Sequence, residues 1–306
     1  MPIREVASGL KFPEGPVVMA DGSVIVVEIA AGQVTRITPK GKKEVVAKTG
    51  GGPNGAAIGP DGALYVCNNG GFEWHKVSGL LIPGHKPADY SGGRIERIDL
   101  STGKVELLYT HCNGQPLRGP NDLVFDSKGG FWFTDHAKST HDHREWGALY
   151  YAKADGSHIS MQVHQIMAPN GVGLSPDEKT VYYAETLSGR LYGAKIAKPG
   201  QLAAGAGLVP GGAYVGQPAG RKMFDSLAVQ ENGDVCVATL LEPGISTISP
   251  KGKVAFTDLK GFKDPLVTNI AFGGKGMKTA FITLSGTGKL IAMDWPKAGL
   301  PLAFGA

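Results

Sequence analysis

Short apolar runs alternate with turns rich in glycine, aspartate and asparagine along the whole chain. The first such unit reads FPEGPVVMADGSVIVVEIAAGQVTRITPKGKKEVVAK, and its β-rich runs are separated at Asp21-Gly22, Ala31-Gly32 and Lys40-Gly41. Turn dipeptides between β-branched runs are typical of antiparallel hairpins. No amphipathic helix of ordinary length lies between them, which disfavours an α/β architecture. The pattern predicts an all-β chain made of repeated multi-stranded units.

A short motif, with an amide or a carboxylate at or near its centre, opens each unit before an apolar strand. The copies are Pro13-Glu14-Gly15, Pro53-Asn54-Gly55, Pro120-Asn121-Asp122, Pro169-Asn170-Gly171 and Phe224-Asp225-Ser226, with a poorer sixth copy at Val267-Thr268-Asn269. They recur at intervals of roughly 40 to 68 residues, near the ~40–50 of propeller blades. A two-sheet sandwich is the alternative, but it would not place such a residue at the entry to one strand of every unit. We therefore predict a six-bladed β-propeller that forms a single domain over residues 1–306.

Two segments interrupt the period and are predicted to be long loops at the entrance. Residues 71–92 are rich in aromatic residues, proline and glycine, and residues 136–146 are charged. Residues 2–8 are expected to add an outer strand to the last blade and so close the circle.

Symmetry would carry one polar residue from each of five copies to equivalent places around the central axis. These residues are Glu14, Asn54, Asn121, Asn170 and Asp225. Carboxylate and amide oxygens are hard donors that suit calcium, magnesium or manganese. Asparagine and aspartate before glycine are also ordinary turn formers, but five copies in register favour a metal site.

A hard cation with open coordination positions polarises an ester carbonyl and lowers the pKa of a bound water, so hydrolysis of a cyclic ester is natural chemistry for this ring. Asp225 or Asp122 is expected to take the proton from that water. Asp225 is preferred because its motif places it at the channel, although a metal-bound carboxylate is a weaker base.

Other polar residues compete for a functional role. Asp135, His136, His141, Asp142 and His143 could form a soft-metal site, but their charged, turn-like segment is better explained as a solvated lid. Glu185, Asn68 and Asn69 end apolar strands as either loop caps or supporting groups of the site. No G-x-S-x-G elbow is present, which disfavours a serine triad.

Composition narrows the class of partner. The 306 residues include 46 glycines and carry a net charge of +4 without a basic stripe, so nucleic acid is not expected as a partner. The start, MPIREVASGL, has no long apolar run, and no window is long enough to span a membrane. Three widely spaced cysteines, Cys67, Cys112 and Cys236, are expected to be reduced. A cytoplasmic protein is predicted, and no oligomeric state is favoured.

Two stretches resemble the senescence-marker-protein/gluconolactonase family of six-bladed propeller hydrolases. They are PNDLVFDSKGGFWFTD at 120–135 and NGVGLSPDEK at 170–179. The resemblance implies a lactone substrate and a central divalent cation held by Glu14, Asn170 and Asp225. Asn121 would be a further ligand or a substrate contact. Calcium is the expected ion, with magnesium, manganese, zinc or iron as alternatives.

Departures from the family pattern concern the substrate. Sugar-acid lactonases of the family often show Arg-x-Asn-Asp, whereas Gly119 stands at the arginine position here and Arg118 is displaced by one. Asn54, Asn121 and Arg118 are the expected substrate contacts. The pair Asp225-Ser226 resembles the drug-responsive, calcium-dependent lactonase branch, which implies a possible second, structural calcium. Sugar, aliphatic and aromatic lactones stay open, as do a phosphotriesterase and a non-catalytic binding propeller.

Overall fold

A computed structural model describes residues 3–204 and 211–305, and six antiparallel sheets make up its framework. The predicted domain boundaries, 1 and 306, and residues 2 and 205–210 lie outside the described part. No described helix is long and apolar enough to cross a membrane.

The strands follow one another in chain order from the innermost to the outermost position of each blade, after a first strand β1 at Ile3–Ala7. Blade 1 contains β2 (Pro13–Val18), β3 (Val24–Glu28), β4 (Gln33–Ile37) and β5 (Lys43–Lys48). Blade 2 contains β6 (Pro53–Ile58) and β7 (Leu64–Asn68), then a hairpin of β8 (Trp74–Val77) and β9 (Leu80–Pro83), then β10 (Arg94–Ile98) and β11 (Val105–Tyr109).

Blade 3 follows a small hairpin of β12 (His111–Cys112) and β13 (Gln115–Pro116). It contains β14 (Pro120–Phe125), β15 (Gly130–Asp135), β16 (Gly147–Lys153) and β17 (Ile159–Ile166). Blade 4 contains β18 (Pro169–Leu174), β19 (Thr180–Glu185), β20 (Arg190–Lys198), β21 (Gln201–Leu202) and β22 (Ala213–Gly216).

Blade 5 contains β23 (Met223–Val229), β24 (Val235–Leu240), β25 (Gly244–Ile248) and β26 (Val254–Asp258). Blade 6 contains β27 (Val267–Gly273), β28 (Thr279–Leu284) and β29 (Lys289–Asp294). Short 3-10 turns lie at Ile29–Ala31, Lys260–Phe262 and Lys275–Met277. The prediction of a six-bladed propeller is confirmed.

The first strand closes the circle. β1 pairs antiparallel with β29, so blade 6 takes its outer strand from the start of the chain and its other three strands from the end. The sequence had predicted this role for residues 2–8, and it is observed for Ile3–Ala7.

The core lies within and between the blades, where β-branched and aromatic side chains of successive sheets pack face to face. Phe131, Trp132 and Phe133 in β15 are fully buried, because the middle strands of a blade are covered on both faces. All three cysteines are buried and unpaired; burial was expected for Cys67 and Cys236, which lie in strands.

The segment at 71–92 is more ordered than the predicted loop. Its sequence WHKV-SG-LLIP forms the hairpin β8–β9, and Ser78 and Gly79 at its tip both have positive φ, 51° and 82°. Two successive positive φ values are the signature of a tight hairpin turn. The hairpin also touches blade 6, since the amide of Leu81 donates to the carbonyl of Gly286 at 2.9 Å.

Candidate active site in the central channel

Each opening motif lies at the start of an innermost strand and coincides with an irregularity of strand pairing. Between β2 and β3 the register shifts between Glu14 and Val17, and equivalent shifts occur in the other five blades. An extra residue on one strand of a pair re-aims the neighbouring side chains. The bulges therefore explain how a repeated motif presents polar groups at one end of the channel.

The glycines of the motif allow the inner strands to approach one another. A Cβ on Gly15 would lie 2.6 Å from the carbonyl oxygen of Asn54, and one on Gly55 would lie 2.5 Å from that of Asn121. A Cβ on Gly171 would likewise lie 2.5 Å from the amide of Leu227. No side chain fits there, so these positions require glycine.

The motif residues form what we call the polar ring, and all but one are buried. Glu14, Asn54, Asn121, Asn170 and Asn269 are between 2 and 6% exposed, and Asp225 is half-buried. The weak sixth copy thus does contribute, because the side-chain amide of Asn269 donates to Oε2 of Glu14 at 2.7 Å. The amide of Gly15 donates to the same oxygen at 2.8 Å.

Three carboxyl groups in or beside the polar ring have raised pKa values. Burial raises the pKa of Glu14 to about 6, against the opposing hydrogen bond from Asn269. Burial, and then the charge of Glu14, raises the pKa of Asp122 to about 7. Desolvation in the channel, followed by repulsion from Glu14 and Asp122, raises the pKa of Asp225 well above its ordinary value. Carboxylates held this close favour either protons or a cation.

The amide groups differ in how fully they are bonded. Asn170 donates to the hydroxyl of Thr186 at 3.1 Å and accepts from Ser226 at 3.3 Å. Oδ1 of Asn121 is buried and has no hydrogen-bond partner in the described part of the chain. An unpartnered buried oxygen is costly unless something else binds it. Its residue type and place fit a cation ligand.

Supporting groups hold the strand openings in place. Asp135 accepts hydrogen bonds from the amides of Arg118, Gly119 and Ala137 at 2.7 to 2.8 Å, and so fixes the turn that leads into Asn121. The sequence placed Asp135 in a lid instead. The side chain of Arg118 turns to the 136–146 segment, with its Nε 3.7 Å from Glu145.

The other polar residues that the sequence offered as functional candidates are the histidines of the 136–146 segment, Glu185 and Asn68. Within residues 3–204 and 211–305, no group of three or more His, Cys, Asp or Glu side chains is arranged to hold a metal. The histidines of the 136–146 segment therefore form no such site. A cation in the central channel would need the amide oxygens as ligands. Glu185 accepts from the amide of Met167 and from Ser188, and Asn68 bonds the amides of Gly52 and Gly70. Both act as loop caps.

Below the polar ring the same six strands enclose a cavity of about 710 Å³. Its wall is mainly aliphatic and includes Val17, Ile58, Leu123, Val172 and Leu227. Asp122 reaches it from above, and residues 300–305 line its far end, where the ring of Phe304 packs edge-on against that of Phe125.

Comparison with known proteins identifies the family. The model of the SMP-30/gluconolactonase/LRE-like region matches residues 12–286. The chain belongs to this family. Its similarity to lactonase drp35 of Staphylococcus haemolyticus is 27% identity over 242 residues, which covers 78% of this chain and 66% of that protein. With lactonase drp35 of Staphylococcus aureus strain MW2 the identity is 31% over 176 residues, 56% of this chain and 47% of that protein.

The chain therefore spans between about half and two thirds of the length of these relatives. Solved structures share the family fold at lower identity. A gluconolactonase from Xanthomonas campestris superposes with a TM-score of 0.73 at 19% identity, covering 96% of this chain and 89% of that one. Regucalcin, a calcium-binding protein from Agrobacterium tumefaciens, gives 0.71 at 16% identity, covering 96% and 94%.

Proposed function

We propose that this SMP-30/gluconolactonase family member is a metal-dependent lactonase. The observation that carries the proposal is the convergence of the buried Glu14, the half-buried Asp225 and the amide groups in the polar ring, with Oδ1 of Asn121 left without a partner in the described part of the chain. The names of the related proteins, lactonase drp35 and gluconolactonase, support a lactone as the substrate.

Glu14, Asn121, Asn170 and Asp225 are the proposed ligands of one divalent cation, for which calcium is the first choice. Both hydrogen bonds to Glu14 given above end on Oε2, and Oδ1 of Asn170 accepts only the 3.3 Å bond from Ser226 in the described part. A cation would also relieve the mutual repulsion of Glu14 and Asp225. When bound, it would polarise the lactone carbonyl and make an attacking water more acidic.

Asp225 is the proposed base that takes a proton from the attacking water, and Asp122 is the alternative. The raised pKa of Asp122, about 7, suits a group that exchanges protons near neutral pH. Asp122 is also not one of the four proposed ligands. Asn121, Asn54 and Arg118 are proposed to orient the substrate at the upper side of the ring.

The test is hydrolysis of sugar-derived, aliphatic and aromatic lactones by protein stripped with a chelator and refilled with calcium, manganese or zinc. We expect activity to disappear with the chelator and to return with a hard cation. Asp225→Asn and Asp122→Asn, assayed side by side, separate the two candidate bases. The variant that lacks the base should lose hydrolytic activity while it still binds calcium.

Other outcomes would redirect the proposal. Turnover of a phosphotriester but of no lactone would indicate a phosphotriesterase with the same ring. Calcium binding by calorimetry, together with inactivity on every ester, would indicate a binding propeller. Failure of the chain to bind any divalent ion would contradict the metal site itself.

A further inference from the structure

A lysine is buried where the two inserted segments meet above the polar ring. Lys138 is 3% exposed, as little as the ring residues themselves. Its ammonium group donates to Oδ1 of Asn69 at 3.1 Å and to the carbonyl of Gly71 at 2.6 Å, and it lies 3.8 Å from the centre of the Phe72 ring. Lys138 thus joins the 136–146 segment to the 71–92 segment.

This ammonium group has no carboxylate partner. No acidic oxygen lies within 4.0 Å of it in residues 3–204 and 211–305. The nearby Asp135 is occupied by its three backbone amides. Taking a cation out of water without an opposite charge is expensive. Burial accordingly lowers the pKa of Lys138 to about 7.

A second group at the same place is also left without a partner. Oδ1 of Asn69 accepts from the amide of Gly71 at 2.9 Å and from Lys138, which fixes the orientation of the carboxamide. Its Nδ2 is buried and has no acceptor in the described part of the chain. Two N–H donor groups, one on Asn69 and one on Lys138, therefore lie side by side.

The pair lies next to the polar ring in space. The amide of Asn69 donates to the carbonyl of Gly52 at 2.8 Å, two residues before Asn54. A Cβ on Gly52 would lie 2.4 Å from Oδ1 of Asn69, so the carboxamide packs directly on the strand opening of blade 2.

The charges around Lys138 balance one another. Two acidic groups, Asp135 and Glu145, act on it together with two basic ones, Lys86 and Arg144. The charge of Lys138 itself is therefore not offset by its surroundings, and an anion bound beside it would supply the missing opposite charge.

We propose that Asn69 and Lys138 form a subsite for a carboxylate carried by the lactone, so that the substrate supplies the counter-charge that Lys138 lacks. This inference rests on the proposed lactonase function. Among the sugar, aliphatic and aromatic lactones left open by the sequence, it favours those that carry a carboxylate.

The experiment measures binding separately from hydrolysis. Tetrahydrofuran-2-carboxylate and tetrahydrofuran-2-carboxamide have the ring and substituent of such a substrate but no ester. We titrate each into the wild-type protein by calorimetry, with and without calcium, and repeat the titrations with Lys138→Met and Lys86→Met. Lys86 is an exposed neighbour and gives a matched loss of one charge.

We expect the wild type to prefer the carboxylate, and Lys138→Met to weaken that binding on the order of tenfold or more while Lys86→Met changes it little. Lys138→Arg should retain part of the preference. Equal affinity for carboxylate and carboxamide in the wild type, or an unchanged preference in folded Lys138→Met, would overturn the subsite. If Lys138→Met does not fold, Asn69→Ser serves instead, with the same two ligands.

Activity then distinguishes the two levels of the proposal. A preference for the carboxylate with no hydrolysis of any lactone would contradict the lactonase function but support the subsite. Hydrolysis of neutral and acidic lactones with equal kcat/KM would support the lactonase function and contradict the subsite.

Discussion

The upper and lower halves of the channel are built by the same six strands but have opposite character. The first residues of the strands place acids and amides in the polar ring, whereas the following residues line an aliphatic cavity of about 710 Å³. The bulges lie between the two halves. Each inner strand therefore contributes polar site residues before its bulge and apolar packing residues after it.

The largest effect expected from the upper half is loss of activity without loss of fold. Asp225→Ala should lower kcat/KM for a lactone by at least about 100-fold, since it removes a ligand and a base at once. Asp294→Ala, an exposed acid at the end of β29, is the control. Equal activity of both variants would mean that Asp225 plays no part in the reaction.

The lower half should behave in the opposite way. Leu174 in β18 is 5% exposed, and Leu174→Ala should lower the free energy of unfolding by roughly 2–5 kcal/mol, because the cavity left behind loses packing contacts. Urea unfolding measures this. At saturating calcium the variant should keep its kcat within about twofold; a large fall in kcat would show that the two halves are not separate.

The protonation of the polar ring should affect the free energy of unfolding of the calcium-free protein. The folded pKa values of Glu14, about 6, and Asp122, about 7, exceed the ordinary carboxyl values, so the unfolded chain loses these protons first. These two groups should therefore lower the free energy of unfolding as pH rises from about 4 to 7, by on the order of a few kcal/mol. Urea unfolding of the wild type and of Asp122→Asn in chelator isolates the contribution of Asp122, because both proteins share the opposite contribution of the buried His136, whose pKa burial lowers. Saturating calcium should remove the decline, and a wild type that does not lose stability relative to Asp122→Asn over this range would contradict the raised pKa of Asp122.

The smallest effect concerns the link between Asn269 and Glu14. Asn269→Leu removes a donor to a buried carboxylate, a loss worth about 1.5–3 kcal/mol. We expect calcium affinity to fall on the order of tenfold and the pKa of Glu14 to rise further. Calorimetry of calcium binding checks the first expectation. Asn269→Ser keeps a hydroxyl donor, so its calcium affinity should lie between those of the wild type and Asn269→Leu. If neither variant changes the calcium affinity, Asn269 does not support the site.

The fold was accessible from sequence because the opening motif repeats and glycine is required where strands touch, as at Gly15 and Gly55. Asn269 was less visible, since its copy carries the amide at the last position of the motif, whereas the other five copies carry the polar residue at the centre. Lys138 and Asn69 could not be found by periodicity. They lie in or beside inserted segments, and their contact joins positions 69 residues apart.

The pairing of β1 with β29 has a consequence for the synthesis of the protein. Glu14 near the start of the chain meets Asn269 near its end, 255 residues later, and β1, the outer strand of the last blade, has no partner until β29 has been made. A nascent chain can form its first blades early, but the ring of donors stays incomplete until the circle closes. Calcium affinity would then report completion of the whole propeller, and a chain interrupted anywhere before blade 6 would be both open and inactive.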